Sequence, residues 1–365
     1  MAGTEKLIAA ALESRLVIFA GAGVSMGAPT NLPSWRDVNR IVVRALAAEA
    51  QKVVGAPLVQ QAADLVIERH EQEKLPPEYQ AQVLAELLHR RYFEVLRHLD
   101  SDRPNATHLA IAWLAKLGCV RAIITTNFDR VIESAFAAVG AQLTCHFQPQ
   151  HFRDLASELG RIERSGGACQ LLKLHGSVDD SDTLIDTLAQ RKRGFALPVL
   201  DSARFLLERC HWLFLGFSGL DLEAERNYLA LDQQAGTARG FSWFVQEGRQ
   251  PRDAVLRLKE RYGERGEIVT GSLPSWLLDF ADGISDAPRP WIAHYFAQRA
   301  PQAAIPSIAA IERGAADWAV GLRPNICSMA LASLVAACAE PQAAAALVTA
   351  VLEKLDAQGG AARDT

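Results

Sequence analysis

The chain has 365 residues, 49% of them hydrophobic and 22% charged. That balance excludes a disordered, collagenous or coiled-coil protein. Lys and Arg number 38 against 42 Asp and Glu, a net charge of -4, so no global positive field draws the chain to nucleic acid or to an anionic membrane. The length fits one large α/β domain with a smaller part beside it, or two domains.

From the N-terminus, Met1 to Ser14 reads as an amphipathic helix. It carries charge and lacks the apolar core of a signal peptide. Short apolar runs bounded by turn residues then predict strands at Leu16–Ala20, Arg121–Thr125, Gln170–Leu174, Trp212–Gly216, Ser242–Val245 and Glu267–Thr270. Strands apolar on both faces and alternating with helices predict a parallel sheet covered on both sides. Residues 37–117, between the first two strands, far exceed what a βαβ crossover needs. They predict a helical insertion, a lid or wall over the sheet. The charged stretch Asp179–Phe195 reads as a solvated loop. Asp279–Pro290 reads as a linker. Residues 288–365 read as an α-helical C-terminal segment punctuated by Pro301, Pro306, Pro324 and Pro341, suited to oligomerisation or regulation. The domain expectation is therefore a catalytic domain over 1–287 and a helical segment over 288–365.

No apolar run is long enough to cross a bilayer. The six cysteines are scattered singly, with no CxxC pair. That excludes zinc-finger spacing and a dense disulfide framework, and a reduced cytoplasm is the expected compartment.

The first strand runs into Gly21-Ala22-Gly23-Val24-Ser25-Met26-Gly27. Glycines at that place let a backbone approach a pyrophosphate, and a helix N-terminus after them would supply unpaired N–H groups. The spacing differs from the dehydrogenase G-x-G-x-x-G, and no Lys-Ser or Lys-Thr follows as a P-loop requires. The prolines of Ala28–Arg36 predict a loop.

Four motifs follow one another in order, each at the end of a predicted strand. They are Gly21-Ala22-Gly23-Val24-Ser25 with Pro33-Ser34-Trp35-Arg36, then Thr125-Thr126-Asn127-Phe128-Asp129 with Glu133, then Lys173-Leu174-His175-Gly176-Ser177, then Leu215-Gly216-Phe217-Ser218-Gly219-Leu220-Asp221. In this they resemble the sirtuins, and in particular the divergent bacterial sirtuin-like NAD-consuming enzymes of anti-phage defence. The resemblance covers roughly residues 10 to 272. It implies a Rossmann-like α/β fold and NAD as substrate. It implies contacts to the dinucleotide from Gly21, Ala22, Gly23, Ser25, Trp35, Asp129, Gly216 and Ser218. The sequence departs from the protein deacylases of the family in lacking the two cysteine pairs that hold their structural zinc, so no metal is expected.

The residue chemistry agrees with that reading. Ligands of open parallel sheets bind at the carboxyl ends of the strands. Breaking the nicotinamide–ribose bond passes through an oxocarbenium-like state. The departing nicotinamide is cationic in the substrate and needs no acid. Asn127 can orient a water, and His175 fits a general base because the unperturbed value of an imidazole lies near the working pH. The resemblance places Asp129 near the nicotinamide carboxamide. Each residue also fits a plainer role: Asp129 a helix cap, Asn127 an Asx turn, Gly216 and Ser218 turn residues, Trp35 packing, Asp221 an N-cap. His108 and His211 show no cluster and read as structural.

The leading expectation is an NAD glycohydrolase releasing nicotinamide and ADP-ribose, silent until triggered. An NAD-dependent deacylase and a non-catalytic NAD or ADP-ribose sensor are the alternatives. The resemblance also implies a homo-oligomer and a regulatory partner of the argonaute or translocase-type ATPase class, and the charge balance and short apolar runs lead to the expectation that neither nucleic acid nor membrane is bound directly.

Overall fold

The structure is a computed structural model. It describes residues 4–72, 77–165, 167–224, 228–285, 288–299 and 307–361. Pro301, Pro306 and the last four residues lie outside these.

The chain begins α1 (Thr4–Leu12), β1 (Leu16–Ala20), α2 (Trp35–Ala50), α3 (Ala56–Glu71), α4 (Pro77–Leu88), α5 (Arg90–Leu96) and α6 (Ala106–Lys116). There follow β2 (Val120–Thr125), α7 (Val131–Val139), β3 (Leu143–His146), α8 (Leu155–Ser165), β4 (Cys169–Lys173), α9 (Leu188–Lys192) and α10 (Leu197–Arg209). Next are β5 (His211–Leu215), α11 (Leu220–Ala224), β6 (Gly240–Gln246), α12 (Asp253–Tyr262), β7 (Gly266–Gly271) and α13 (Leu273–Asp282). The chain closes with α14 (Pro288–Arg299), α15 (Ser307–Leu322), α16 (Pro324–Ala337) and α17 (Pro341–Ala361). Pro324 and Pro341 each open a helix, where a missing N–H costs nothing.

The seven strands form one parallel sheet in the order β3-β4-β2-β1-β5-β6-β7. All six strands predicted from apolar runs are present. The sequence reading missed β3. It lies at the edge, is four residues long and is mostly part-exposed, so it lacks the apolar run that marks the central strands.

Side chains alternate across the pleat and build two cores. On one face Leu16, Ile18, Ile123, Leu171 and Leu213 pack with α1, α6, α7 and α13. On the other Val17, Phe19, Ala122, Leu172 and Trp212 pack with α8, α10 and α12. The second core is aromatic: Phe19 and Phe214 stack at 5.2 Å, and Phe214 and Trp243 at 4.2 Å. Burying rings of this size contributes several kcal/mol per side chain.

The chain divides into two compact units. The first, residues 1–32, 100–185 and 192–304, holds the sheet. The second, residues 33–99, 186–191 and 305–365, is helical. Of the expected 37–117 insertion, α2 to α5 belong to the second unit and α6 to the first, where it packs beside α7 and α13. Of the expected C-terminal segment, α14 belongs to the first unit, with Trp291 against Trp113 at 5.4 Å. Helices α15 to α17 belong to the second, where α16 is central and Cys327, Leu331, Leu334 and Val335 are fully buried.

The charged stretch Asp179–Phe195 is only partly a solvated loop. Within the second unit Asp186 is fully buried and accepts a hydrogen bond from Tyr92 Oη at 2.5 Å, while Arg191 pairs with Glu78 at 3.1 Å. Burial pushes the Asp186 carboxyl up to about 7. Charge density in the sequence misled here because a buried carboxylate with a phenol partner reads the same as a solvated one.

Candidate active site

In the first unit, the register of the four central strands brings the motifs together. Ala20 of β1 is aligned with Thr125 of β2 and with Leu215 of β5, and Thr125 is aligned with Lys173 of β4. Two residues beyond this line stand Ala22, Asn127, His175 and Phe217. The four turns therefore leave the sheet at one level, at the carboxyl ends where ligands of parallel sheets bind.

After β1 the structure has a single 3₁₀ turn, Ala22–Val24, rather than a helix N-terminus. The amide N–H groups of Gly21 and Gly23 donate to the carbonyls of Leu215 and Gly216, each at 2.9 Å. The glycines thus serve close approach of two backbones. A Cβ on Gly21 would stand 2.6 Å from the Gly216 carbonyl oxygen. Gly216 has φ +60°, and a Cβ there would stand 2.4 Å from the Val24 nitrogen. Gly216→Ala is expected to destabilise the first unit by about 2–4 kcal/mol, combining overpacking with left-handed strain. Urea denaturation of the variant beside the wild type checks this.

Ser25 stands at the centre of a buried polar network. Its Oγ donates to Asp129 Oδ2 at 3.1 Å, accepts from Asn127 Nδ2 at 3.3 Å and lies 3.2 Å from His108 Nε2. Asn127 Nδ2 also donates to the Gly21 carbonyl at 3.3 Å. Both amide hydrogens are therefore held by protein, and the Asn127 carbonyl oxygen is the end left to orient a water. Ser25, Asn127, Asp129 and His175 are all buried, between 2% and 8% exposed.

His108, expected from the sequence to be structural, belongs to this network. Its Nδ1 lies 2.8 Å from Asn105 Oδ1, and the Asn105 amide donates to the Val24 and Gly27 carbonyls. Nδ1 also faces the Asn105 backbone amide, at 3.4 Å, and the shorter contact to Asn105 Oδ1 favours the proton on Nδ1, which leaves Nε2 to accept from Ser25. Ser25 has one proton and two acceptors for it, His108 and Asp129. Burial holds His108 neutral, lowering it to about 3, and pushes the Asp129 carboxyl up to about 6. The signal that could have found His108 is Asn105-x-x-His108 opening a helix, which no spacing rule ties to Ser25.

Asp129 is both cap and network member: Oδ1 accepts the Val131 amide at 3.1 Å while Oδ2 faces Ser25. His175 lies at the end of β4, 6.5 Å from the Phe128 ring centroid, with its carbonyl accepting the Ile185 amide. Ser218 is exposed and accepts the Leu220 amide at 3.3 Å, so Ser218 rather than Asp221 precedes α11. Trp35 is the first residue of α2, in the second unit, unlike the other candidates. His211 bonds Ser242 at 3.0 Å between neighbouring strands, a structural role.

Among the described residues no three His, Cys, Asp or Glu side chains gather to hold a metal ion. Burial pushes the thiols of Cys145, Cys169 and Cys327 up to between about 11 and 12, which suppresses their thiolates. Among the same residues no single helix is long and apolar enough to cross a membrane.

Residues 121–265 match the family model of the SIR2-like domain. The matched stretch holds Asn127, Asp129, His175, Gly216 and Ser218, while the glycine turn after β1 precedes it. An NAD-dependent protein deacetylase of Caldivirga maquilingensis is 48% identical over 44 residues, 12% of this chain and 17% of that protein. The chain thus aligns with less than a fifth of that relative's length. A solved structure from a study of the mechanism and regulation of Sir2 enzymes aligns over 78% of this chain and 96% of its own, with 16% identity and a TM-score of 0.38. With the SIR2-like family model matching residues 121–265, from β2 to the end of α12, the chain carries a sirtuin-like domain.

Proposed function

We propose that this site cleaves the nicotinamide–ribose bond of NAD and passes the ADP-ribosyl group to water, making the protein an NAD glycohydrolase. The observation that carries the reading is the fixed orientation of Asn127. With both amide hydrogens held by Gly21 and Ser25, its carbonyl oxygen accepts from a water and points that water at the anomeric carbon. His175, on the neighbouring strand end, takes the proton. Asp129 and Ser25 meet the nicotinamide carboxamide. Gly21, Ala22, Gly23, Gly216 and Ser218, all in the first unit, contact the rest of the dinucleotide. The bond between ribose C1′ and the nicotinamide nitrogen breaks, its electron pair leaves with neutral nicotinamide, and the water oxygen bonds C1′.

An activity that consumes NAD without a second substrate depletes the cell, so it must be restrained until triggered. We place it as a cytoplasmic, homo-oligomeric effector of anti-phage defence, released by a regulatory partner of the translocase or argonaute class. This rests on the motif resemblance and on the toxicity such chemistry implies.

A deacylase uses the same bond cleavage but passes ADP-ribose to an acyl-lysine. The sequence lacks the paired cysteines of those enzymes, which favours water as acceptor. An acetyl-lysine peptide distinguishes the two. Nicotinamide release is expected at the same rate with and without peptide. Release that requires peptide, with acetyl-ADP-ribose as product, would make the protein a deacylase.

A further inference from the structure

Lys173 is the last residue of β4, and its side chain is fully buried. Its ammonium lies 3.2 Å from the Phe128 carbonyl, 2.7 Å from the Asp129 carbonyl, 3.0 Å from Ser177 Oγ and 2.9 Å from Glu133 Oε1. A buried ammonium is expensive to desolvate and persists where several acceptors surround it. Two of these acceptors are backbone carbonyls of the turn carrying Asn127 and Asp129. A third belongs to the turn carrying His175. The Phe128 carbonyl also accepts the Val178 amide at 3.0 Å, so the two turns are stitched at one point by an amide and an ammonium together.

We infer that Lys173 is a positioning residue: its buried ammonium, with Glu133 as counter-ion, locks the Asn127–Asp129 turn to the His175–Ser177 turn. This deepens the NAD-cleavage reading and rests on it for its consequence in catalysis. The geometry itself does not depend on that reading.

The lock has an electrostatic side. Burial raises Asp129, the Lys173 charge opposes that rise, and the Glu133 charge adds to it. The groups facing Asp129 are Lys173 from β4, Glu133 from α7 and, through Ser25, His108 from α6. Beside it Arg130 turns outward to Asp100 and Asp179. Cys145 on β3 also faces the Lys173–Glu133 pair and stays a neutral thiol. Removing the lysine charge therefore moves Asp129 titration up, and removing the glutamate charge moves it down. These opposed shifts read the two charges at Asp129, and a loss in kcat with little change in KM reads the lock.

The test uses the full chain and the variants Lys173→Met, Lys173→Arg and Glu133→Gln. Asp129 titration is followed by its carboxyl carbon-13 resonance, assigned by its loss in Asp129→Asn, and NAD cleavage is followed against pH. The Asp129 midpoint is expected to rise by about one unit in Lys173→Met and to fall in Glu133→Gln, a unit being a tenfold change in the equilibrium. In Lys173→Met kcat is expected to fall about 100-fold, the scale of a slight misplacement of catalytic groups, with a much smaller change in KM. Lys173→Arg restores part of kcat. Should Lys173→Met not fold, Glu133→Gln decides alone, since it keeps the lysine. Midpoints unmoved in the folded variants would overturn the proposal. A wild type that leaves NAD intact would instead overturn the functional reading, while the carboxyl titration still decides the role of Lys173.

Discussion

Asp129→Asn is expected to make the folded protein more stable at neutral pH while removing its NAD cleavage. The Asp129 carboxyl is raised from 3.8 to about 6 in the fold, first by burial, against the lysine charge and the Val131 amide that lower it. A group raised in the folded state is bound more favourably as the acid. Its stabilising contribution is complete below its unfolded value and is lost as pH rises through its folded value. About two units correspond to about 3 kcal/mol. The wild type bears that penalty above about pH 6, and the asparagine variant does not. The neutral amide can accept the Val131 amide and donate to Ser25, which then gives its proton to His108. Denaturant unfolding at a series of pH values is expected to show the variant about 3 kcal/mol more stable at pH 7 and equal to the wild type below about pH 4. A variant equally or more strongly destabilised at pH 7 would mean that the ionised carboxylate is well solvated or well paired. The trade of stability for a poised acid is common at active sites.

The second large effect concerns His175. It is 4% exposed and lies two residues past the end of β4, as Asn127 lies two past the end of β2, and those two strand ends are aligned. General-base removal costs about 10²- to 10⁴-fold in rate. His175→Ala is expected to lower kcat by that range with little change in KM. Asn127→Ala is expected to lower it comparably, because the water then loses the amide oxygen proposed to orient it. Steady-state kinetics on NAD check both. A His175→Ala enzyme within a factor of three of the wild type would remove the imidazole from proton transfer.

Much of the sheet and four of its turns were legible in the chain. Central strands are apolar on both faces and short, so Leu16–Ala20 and Trp212–Leu215 announce themselves. Turns that hold chemistry keep glycine, asparagine, aspartate and histidine where a regular element would exclude them. What the chain hid was long-range. Edge strand β3 carries no apolar run. His108 lies 83 positions from Ser25, and only the packing of α6 beside β2 brings them together. Asp186 sits among charges that look solvated, and its burial depends on a tyrosine 94 positions away. Lys173 ends an apolar strand, where a lysine reads as emerging into water. Its burial follows from the acceptors of the adjacent turn, which no local pattern displays.

We propose that Asn127 and His175, beside the Ser25–Asp129 pair at the strand ends, cleave NAD. The most direct measurement incubates the full chain with NAD and identifies products by chromatography and mass spectrometry, beside His175→Ala and Asn127→Ala. Equimolar nicotinamide and ADP-ribose are expected from the wild type and only trace product from the variants. Bound NAD recovered intact from the wild type, or equal cleavage by all three proteins, would contradict it.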